Sequence, residues 1–245
     1  MYEDYRLSRA NSRAFPVRFL LTCPGMLSWI HDRALTLALM AMFVVFLAGQ
    51  YVAGFKEYNE SRKEHGQPQI AMAGYFATGH WWEGVFENWE SEFLQMAVFV
   101  LLTTVLVQKG SPESRRAHSK ELVDANPRDF TDRPGVPWPV RRGGWVLGVY
   151  ENSLGLAFVA LFLISWAGHA IGGYADFAQD QMTHGAARPG FSDYLASSRF
   201  WYESFQNWQS EFLAVASLAS LSIFLRQRGS PESKPVAAPH SKTGT

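Results

Sequence analysis

Long apolar blocks alternate with strongly polar stretches along this chain, and nearly all the charge lies in the polar ones. Residues 34–54 and 152–172 contain no Asp, Glu, Lys or Arg. A helix of that length rises about 31 Å at 1.5 Å per residue, enough for the ~30 Å hydrocarbon core of a bilayer. A third uncharged run, 93–107, makes only about 22 Å of helix and falls short alone. Extending it back to Val85 gives about 34 Å, but brings Glu87, Asn88, Glu90 and Glu92 into the helix. The fourth block, 204–225, is similar. The pattern predicts an all-α integral membrane protein with four transmembrane helices, about 34–54, 85–107, 152–172 and 204–225. The Glu- and Lys-rich stretch after Gly54 favours a continued helix that ends near Gly66 and Pro68.

The blocks are related by duplication. Phe86-Glu87-Asn88-Trp89-Glu90-Ser91-Glu92-Phe93-Leu94 returns as Phe205-Gln206-Asn207-Trp208-Gln209-Ser210-Glu211-Phe212-Leu213. Gly110-Ser111-Pro112-Glu113-Ser114 returns as Gly229-Ser230-Pro231-Glu232-Ser233 at the same offset of 119. Leu35/Leu154, Ala48/Ala167, Gly54/Gly173, His65/His184, Tyr75/Tyr194 and Trp82/Trp201 keep that offset without a gap. Two tandem helical hairpins are expected. Each holds two spans, an even number, so the copies share one orientation. The domain plan is a basic arm (1–33), a first membrane repeat (34–110), a Pro/Arg-rich linker (111–146), a second repeat (147–229) and a disordered tail (230–245). A short surface helix is expected around Phe15–Leu21.

Charge sets the expected topology. The hairpin loops carry Lys56, Arg62, Lys63, Arg188 and Arg199. Every other one of the 22 Lys and Arg lies in the arm, around the central linker or in the tail. The positive-inside rule then puts both termini in the cytoplasm of a bacterium, with the chain in its inner membrane. The formal net charge of zero gives no reason to expect nucleic acid. The expected partner is the lipid bilayer, with helix packing within or between chains that allows a homo-oligomer. The single cysteine, Cys23, rules out an intrachain disulfide.

Candidate chemistry lies on the second helix of each repeat. At 100° per residue, Asn88, Glu92, Gln95, Phe99 and Thr103 form one stripe, and Trp82, Phe86, Trp89 and Phe93 a neighbouring one. In the second copy the polar stripe keeps Asn207 and Glu211, and the aromatic stripe reads Trp201, Phe205, Trp208 and Phe212. Glu92 lies about 22 Å along the helix from Val107, at a depth where a carboxylate must face protein or water. Aromatic residues there suit an interfacial belt or helix packing. Gly168–Gly172 is a GxxxG spacing, with Gly49–Ala53 as its counterpart; small residues at this spacing let helix backbones approach closely. His65, His80, His169 and His184 form no ligand spacing in the linear sequence, so neither metal nor cofactor is expected. No nucleophile–base set, phosphate loop or dinucleotide fingerprint occurs, so no enzyme activity is expected.

The phrases Phe-x-Asn-Trp-x-Ser-Glu-Phe-Leu and Gln-x-Gly-Ser-Pro-Glu-Ser, with Pro137-Trp138-Pro139-Val140-Arg141-Arg142-Gly143-Gly144-Trp145 between them, resemble an uncharacterised bacterial family of small membrane proteins of unknown function. The resemblance runs from about residue 30 to the tail and implies no activity, ligand or site. The expected function is a structural or binding role in the membrane. The alternative is a small ion or proton channel or transporter using the symmetry-related Glu92 and Glu211.

Overall fold

The computed structural model describes residues 24–116 and 122–244. The arm before Pro24, with the surface helix expected around Phe15–Leu21, lies outside the described residues. Those described contain helices and turns and no strand. The chain divides into two compact units, residues 1–53 and 54–245, and the division falls inside a helix.

In the first unit, α1 (Pro24–Asp32) precedes the first twenty residues of α2 (Ala34–Glu64). Arg33, between the two helices, places its guanidinium 4.8 Å from the centre of the Trp29 ring. The absence of charge up to Gly54 and the rarity of helix breakers explain the length of α2, which ends just before Gly66 with Arg62 and Lys63 in its last turn. Cations there favour the C-terminal end of the helix dipole. α2 and α7 (Ser153–Thr183) are both long and apolar enough to cross a membrane, with mean hydropathy 2.0 in each.

The second unit is built on α4 (Gly79–Val105), α7 and α9 (Ser198–Leu221). Short helices sit at the turns: α3 (Met72–Tyr75) before α4 and α8 (Phe191–Leu195) before α9. α4 and α9 start alike. Thr78 and Ser197 are N-caps whose hydroxyls accept from Trp81 N and Phe200 N, at 3.3 Å in each case. Each cap satisfies a backbone donor left open by the first turn. α4 stops at Val105 and α9 at Leu221, short of the expected ends at 107 and 225. Leu106 is already extended, because the chain must turn at Gly110, whose φ of 91° few other residues adopt.

α4 packs chiefly on α7, and less extensively on α9. Small residues make the α4–α7 approach close. A Cβ on Gly172 would lie 2.7 Å from Glu83 N and 3.0 Å from the Trp82 carbonyl carbon. One on Gly168 would meet the Phe86 ring at 2.5 Å, and one on Gly79 would meet Gly172 O at 2.6 Å. Beside this crossing, Ala170, Tyr194 and Phe200 are buried against Trp166, Tyr174, Phe177 and Leu195.

The linker and tail hold more structure than their composition suggests. The linker forms 3-10 turns at Leu122–Asp124 and Pro127–Phe130, then α5 (Trp138–Arg142) and α6 (Gly144–Glu151). The tail was expected to be disordered. Instead it folds around Lys234, whose ammonium donates to the carbonyls of Pro239, His240 and Lys242 at 3.4, 2.9 and 3.1 Å. Thr243 then accepts from Gly110 N through its hydroxyl at 2.9 Å, and Gly244 N donates to Ser111 O at 3.0 Å. Polar bonds of this kind leave no apolar periodicity to read.

Gly172→Ala puts a methyl against backbone that cannot move aside. It should lower stability by about 1–3 kcal/mol, seen as a depressed melting temperature in detergent. Gly148→Ala, which has nothing within 4 Å, should be neutral or slightly stabilising through helix propensity.

Candidate functional site

Glu83, Glu87 and Glu90 stand at i, i+4 and i+7 of α4 and therefore share one face. That face meets α7 and α9 and carries a network of charged groups. His169, on α7, is fully buried and lies with Nδ1 2.8 Å from Glu90 Oε2. The other oxygen of Glu90 accepts from Trp208 Nε1 at 2.9 Å. Glu90 is itself fully buried, so its carboxylate accepts on both sides. An ionised carboxylate can only accept, so the Nδ1 contact calls for a proton on Nδ1; Nε2 then carries a lone pair in the neutral ring and a second proton in the imidazolium.

Arg199, at the start of α9, gathers the remaining acids. Its Nη2 donates to Glu83 Oε1 at 3.1 Å and to Asp176 Oδ2 at 2.9 Å, and its Nε donates to Glu203 Oε1 at 2.8 Å. Glu203 Oε2 faces His169 Nε2 at 3.6 Å, beyond hydrogen-bond length. Neither atom has a hydrogen-bond partner, and the same is true of the buried Tyr194 hydroxyl. Asn207 Nδ2 donates to Glu87 Oε1 and, at 3.2 Å, to the Glu203 carbonyl. Among the described residues, Glu83, His169 and Glu203 are a group that could hold a metal ion, with one ligand atom from each within 4.8 Å of the others. A cavity of about 320 Å³ opens beside the network, lined by Asp176 and Arg199 together with Glu57, His65 and His80.

Part of this arrangement recurs at the offset of 119. His80 Nε2 pairs with Glu57 Oε2 at 3.0 Å, where Arg199 pairs with Asp176. The Tyr75 hydroxyl abuts Gly54 as that of Tyr194 abuts Gly173. The remaining positions differ in charge: Gln50, Tyr202, Gly84, Gln206 and Gln209 correspond to His169, Glu83, Glu203, Glu87 and Glu90. This contrast between copies, together with the i, i+4, i+7 spacing on α4, is the sequence signal that identifies the network. The linear histidine spacings could not show it.

The residues singled out from sequence fall in several places. The carboxylates of Glu92 and Glu211 lie close enough to repel one another. Glu92 is exposed, and Asn88 folds back on its own helix, donating to Gly84 O at 2.8 Å. Asn207 belongs to the charged network. Trp82, Phe86 and Trp89 form a run of ring contacts at 5.5 and 5.6 Å, and Trp201, Phe205 and Trp208 form another at 5.5 and 5.6 Å. Phe93 is half-buried, and Phe212 lines a cavity of about 520 Å³ between α4 and α9. Gly168 and Gly172 face α4, whereas Gly49 and Ala53 lie on α2 in the first unit. The cavity runs from Gln95, one turn beyond Glu92, past Phe99 and Thr103 to Glu113.

Below that cavity the two Gly-Ser-Pro-Glu-Ser turns share one bonding scheme. Ser111 and Ser230 accept from Glu113 N and Glu232 N at 3.2 Å. Ser114 and Ser233 accept from Gln108 N and Gln227 N at 2.8 and 2.9 Å. The turns bring Glu113 and Glu232 together. Burial, then a hydrogen bond with Glu232 and the charge of Glu232, push the Glu113 carboxyl up to about 7.

A family model described as Domain of unknown function (DUF6766) matches residues 26–245. No curated protein and no solved structure matches the chain.

The carboxyl contact between the two turns needs a proton. A carboxyl raised above its ordinary value of 4.5 stabilises the fold below that value and loses the effect as pH rises through about 7. Backbone hydrogen exchange at Gln108 and Glu113, corrected for intrinsic rate, should therefore accelerate between pH 5 and 8. Glu113→Gln keeps a donor to Glu232 and should remove the step.

Proposed function

The chain belongs to the family described as a domain of unknown function (DUF6766), so its activity has to be read from its own side chains, and we propose that it is a four-span integral membrane protein that binds a cation inside its helical bundle. In this proposal α4 and α9 cross the membrane as α2 and α7 do, in two tandem hairpins of one orientation. The offset of 119 supports the tandem arrangement because it relates contacts as well as residues. The His65 and His184 rings lie 5.3 Å apart, Glu92 is near Glu211, and Glu113 bonds to Glu232. Both termini lie in the cytoplasm and the membrane is the bacterial inner membrane, in keeping with the Lys/Arg bias.

One observation carries the functional proposal. Four carboxyl groups, on Glu83, Glu90, Asp176 and Glu203, converge on the guanidinium of Arg199 and one imidazole, and Glu87 lies beside them on Asn207. Desolvating an unpaired charge costs several kcal/mol even after relaxation. Ionised together, these acids would outnumber the positive charges of Arg199 and His169, and a bound cation would offset the excess. The cavity lined by Asp176 and Arg199 would give that ion a polar approach. The protein's role is then binding, with the ion held rather than a substrate transformed.

A second reading has its own observation. The cavity between α4 and α9 runs from Gln95, one turn from Glu92, to Glu113, which bonds to Glu232, and would suit a narrow path for protons or small ions.

Cation binding to the folded state raises the melting temperature by mass action, by about 2.7 kcal/mol of stability at a hundred times Kd. With full-length protein in lipid nanodiscs, at least one of Na⁺, K⁺, Mg²⁺, Ca²⁺, Mn²⁺ and Zn²⁺ should raise it. The Glu83→Gln/Glu203→Gln variant should lose the response. A wild type indifferent to all six would end the cation proposal. For the second reading, proteoliposomes should show pH-dependent flux that Glu92→Gln/Glu211→Gln abolishes without altering assembly.

A further inference from the structure

We propose that the ion is a first-row divalent metal, ligated by Glu83, His169 and Glu203, with one site in each chain. This rests on the cation-binding proposal and names the occupant of that site.

The starting point is a buried ring nitrogen and a carboxylate oxygen that face each other without a hydrogen bond. His169 is 0% exposed, its proton is committed to Glu90 through Nδ1, and its Nε2 has no hydrogen-bond partner. Nε2 is aimed at Glu203 Oε2, which also has no partner, across 3.6 Å. In the neutral ring both atoms are acceptors, and a positive ion between them would satisfy both. The gap suits a metal. With bonds of ~2.1 Å to nitrogen and to oxygen, a 3.6 Å separation corresponds to an angle of about 118° at the ion. The Glu83 ligand atom completes the set, all within 4.8 Å; two ligands at ~2.1 Å from one ion stand at most ~4.2 Å apart, so closure by about half an ångström or more brings the three into bonding range.

The surroundings hold these ligands as a metal site requires. Histidine ligands commonly donate their other ring N–H to a carboxylate, which fixes the tautomer and makes the ring more basic. Glu90 has that position here, and it is anchored in turn by Trp208 Nε1. Glu83 and Glu203 each place Oε1 on Arg199, leaving the second oxygen of each for an ion. Arg199 thereby offsets part of the charge of the two carboxylates while orienting them. The Tyr194 hydroxyl, buried and without a partner, lies against Gly173, near Glu83 Oε1.

The donor set narrows the choice of ion. Ca²⁺ and Mg²⁺ favour all-oxygen shells, whereas an imidazole nitrogen with two carboxylates suits Mn²⁺, Fe²⁺ or Zn²⁺. The positions 119 residues away carry Tyr202, Gln50 and Gly84 in place of Glu83, His169 and Glu203. They cannot form a second such site, so the stoichiometry is one.

The test uses full-length protein without a polyhistidine tag, stripped with chelator and held in nanodiscs. His65→Gln/His184→Gln is built in, because those exposed rings, 5.3 Å apart, could bind metal on their own. Mn²⁺ is titrated and the free ion is counted by its EPR signal. The expected result is one bound Mn²⁺ per chain, displaced by Zn²⁺. Pulsed EPR should show nitrogen modulation from one imidazole. His169→Gln should abolish the modulation and weaken binding at least ~100-fold, while Glu90→Gln should weaken it about 10–100-fold with the modulation kept. The nitrogen signal is read in the parent protein, so it decides the matter even if His169→Gln fails to fold. Bound Mn²⁺ without nitrogen modulation, or two ions per chain, would put the metal elsewhere and overturn the inference. No bound Mn²⁺ alongside a melting response to Na⁺, K⁺ or Mg²⁺ would overturn it and leave the cation proposal standing. Silence in both measurements would overturn both.

Discussion

The burial of the Glu90 carboxylate against His169 is the contact on which the rest of this bundle depends. Both groups are fully buried, so each is costly without the other. Their contact, 2.8 Å long, joins residues 79 apart in the chain. It fixes the rotation of α4 about its axis and thereby the residues that α4 turns toward α7. Glu83 and Glu87 share that face, so the same rotation carries them to Arg199 and Asn207. A small change in rotation would leave several carboxylates without partners, and that cost makes the arrangement specific as well as stable.

Close packing makes the contact reachable. Gly168 and Gly172 remove side chains where α7 crosses α4, and Gly79 does the same from the other side. With backbone this near to backbone, short acidic side chains span the gap and water is kept out. Exclusion of water strengthens every charge interaction within and raises the cost of any that is unmatched. The glycine approach and the charged network are therefore one device. The first creates the low-dielectric space, and the second fills it with paired polar groups.

Residues 119 apart in the sequence match and differ in a chemically ordered way. They keep the parts that shape the fold: the Thr78 and Ser197 caps, the aromatic runs, the Tyr–Gly contacts and the Gly-Ser-Pro-Glu-Ser turns with their serine bonds. They differ where charge is buried, with Glu, His and Glu facing Tyr, Gln and Gly at the matched positions. The aromatic rings also serve both roles. Trp208 belongs to a run of ring contacts and yet its indole N–H is the anchor of Glu90.

The sequence by itself determined the all-helical character, two helices long and apolar enough to span a membrane, the 119-residue register and the family. Each of these depends on composition or spacing along one chain, which hydrophobic periodicity and charge exclusion report directly. Helical projection also grouped Glu92 with Gln95, Phe99 and Thr103, and the last three do line one cavity. What projection cannot say is which stripe meets a neighbour. Glu90 and Glu92 are two residues apart and so point to nearly opposite sides of α4. Only the packing of α4 on α7 decided that Glu90 is buried and Glu92 exposed. The tail was illegible for a related reason. Lys234 is held by three backbone carbonyls, and carbonyls are common to every residue type, so no pattern of side chains announces them. His169 looked isolated in sequence because its partners come from α4 and α9. Long-range polar contacts of this kind follow from the relative placement of helices, which side-chain spacing within any one helix does not encode.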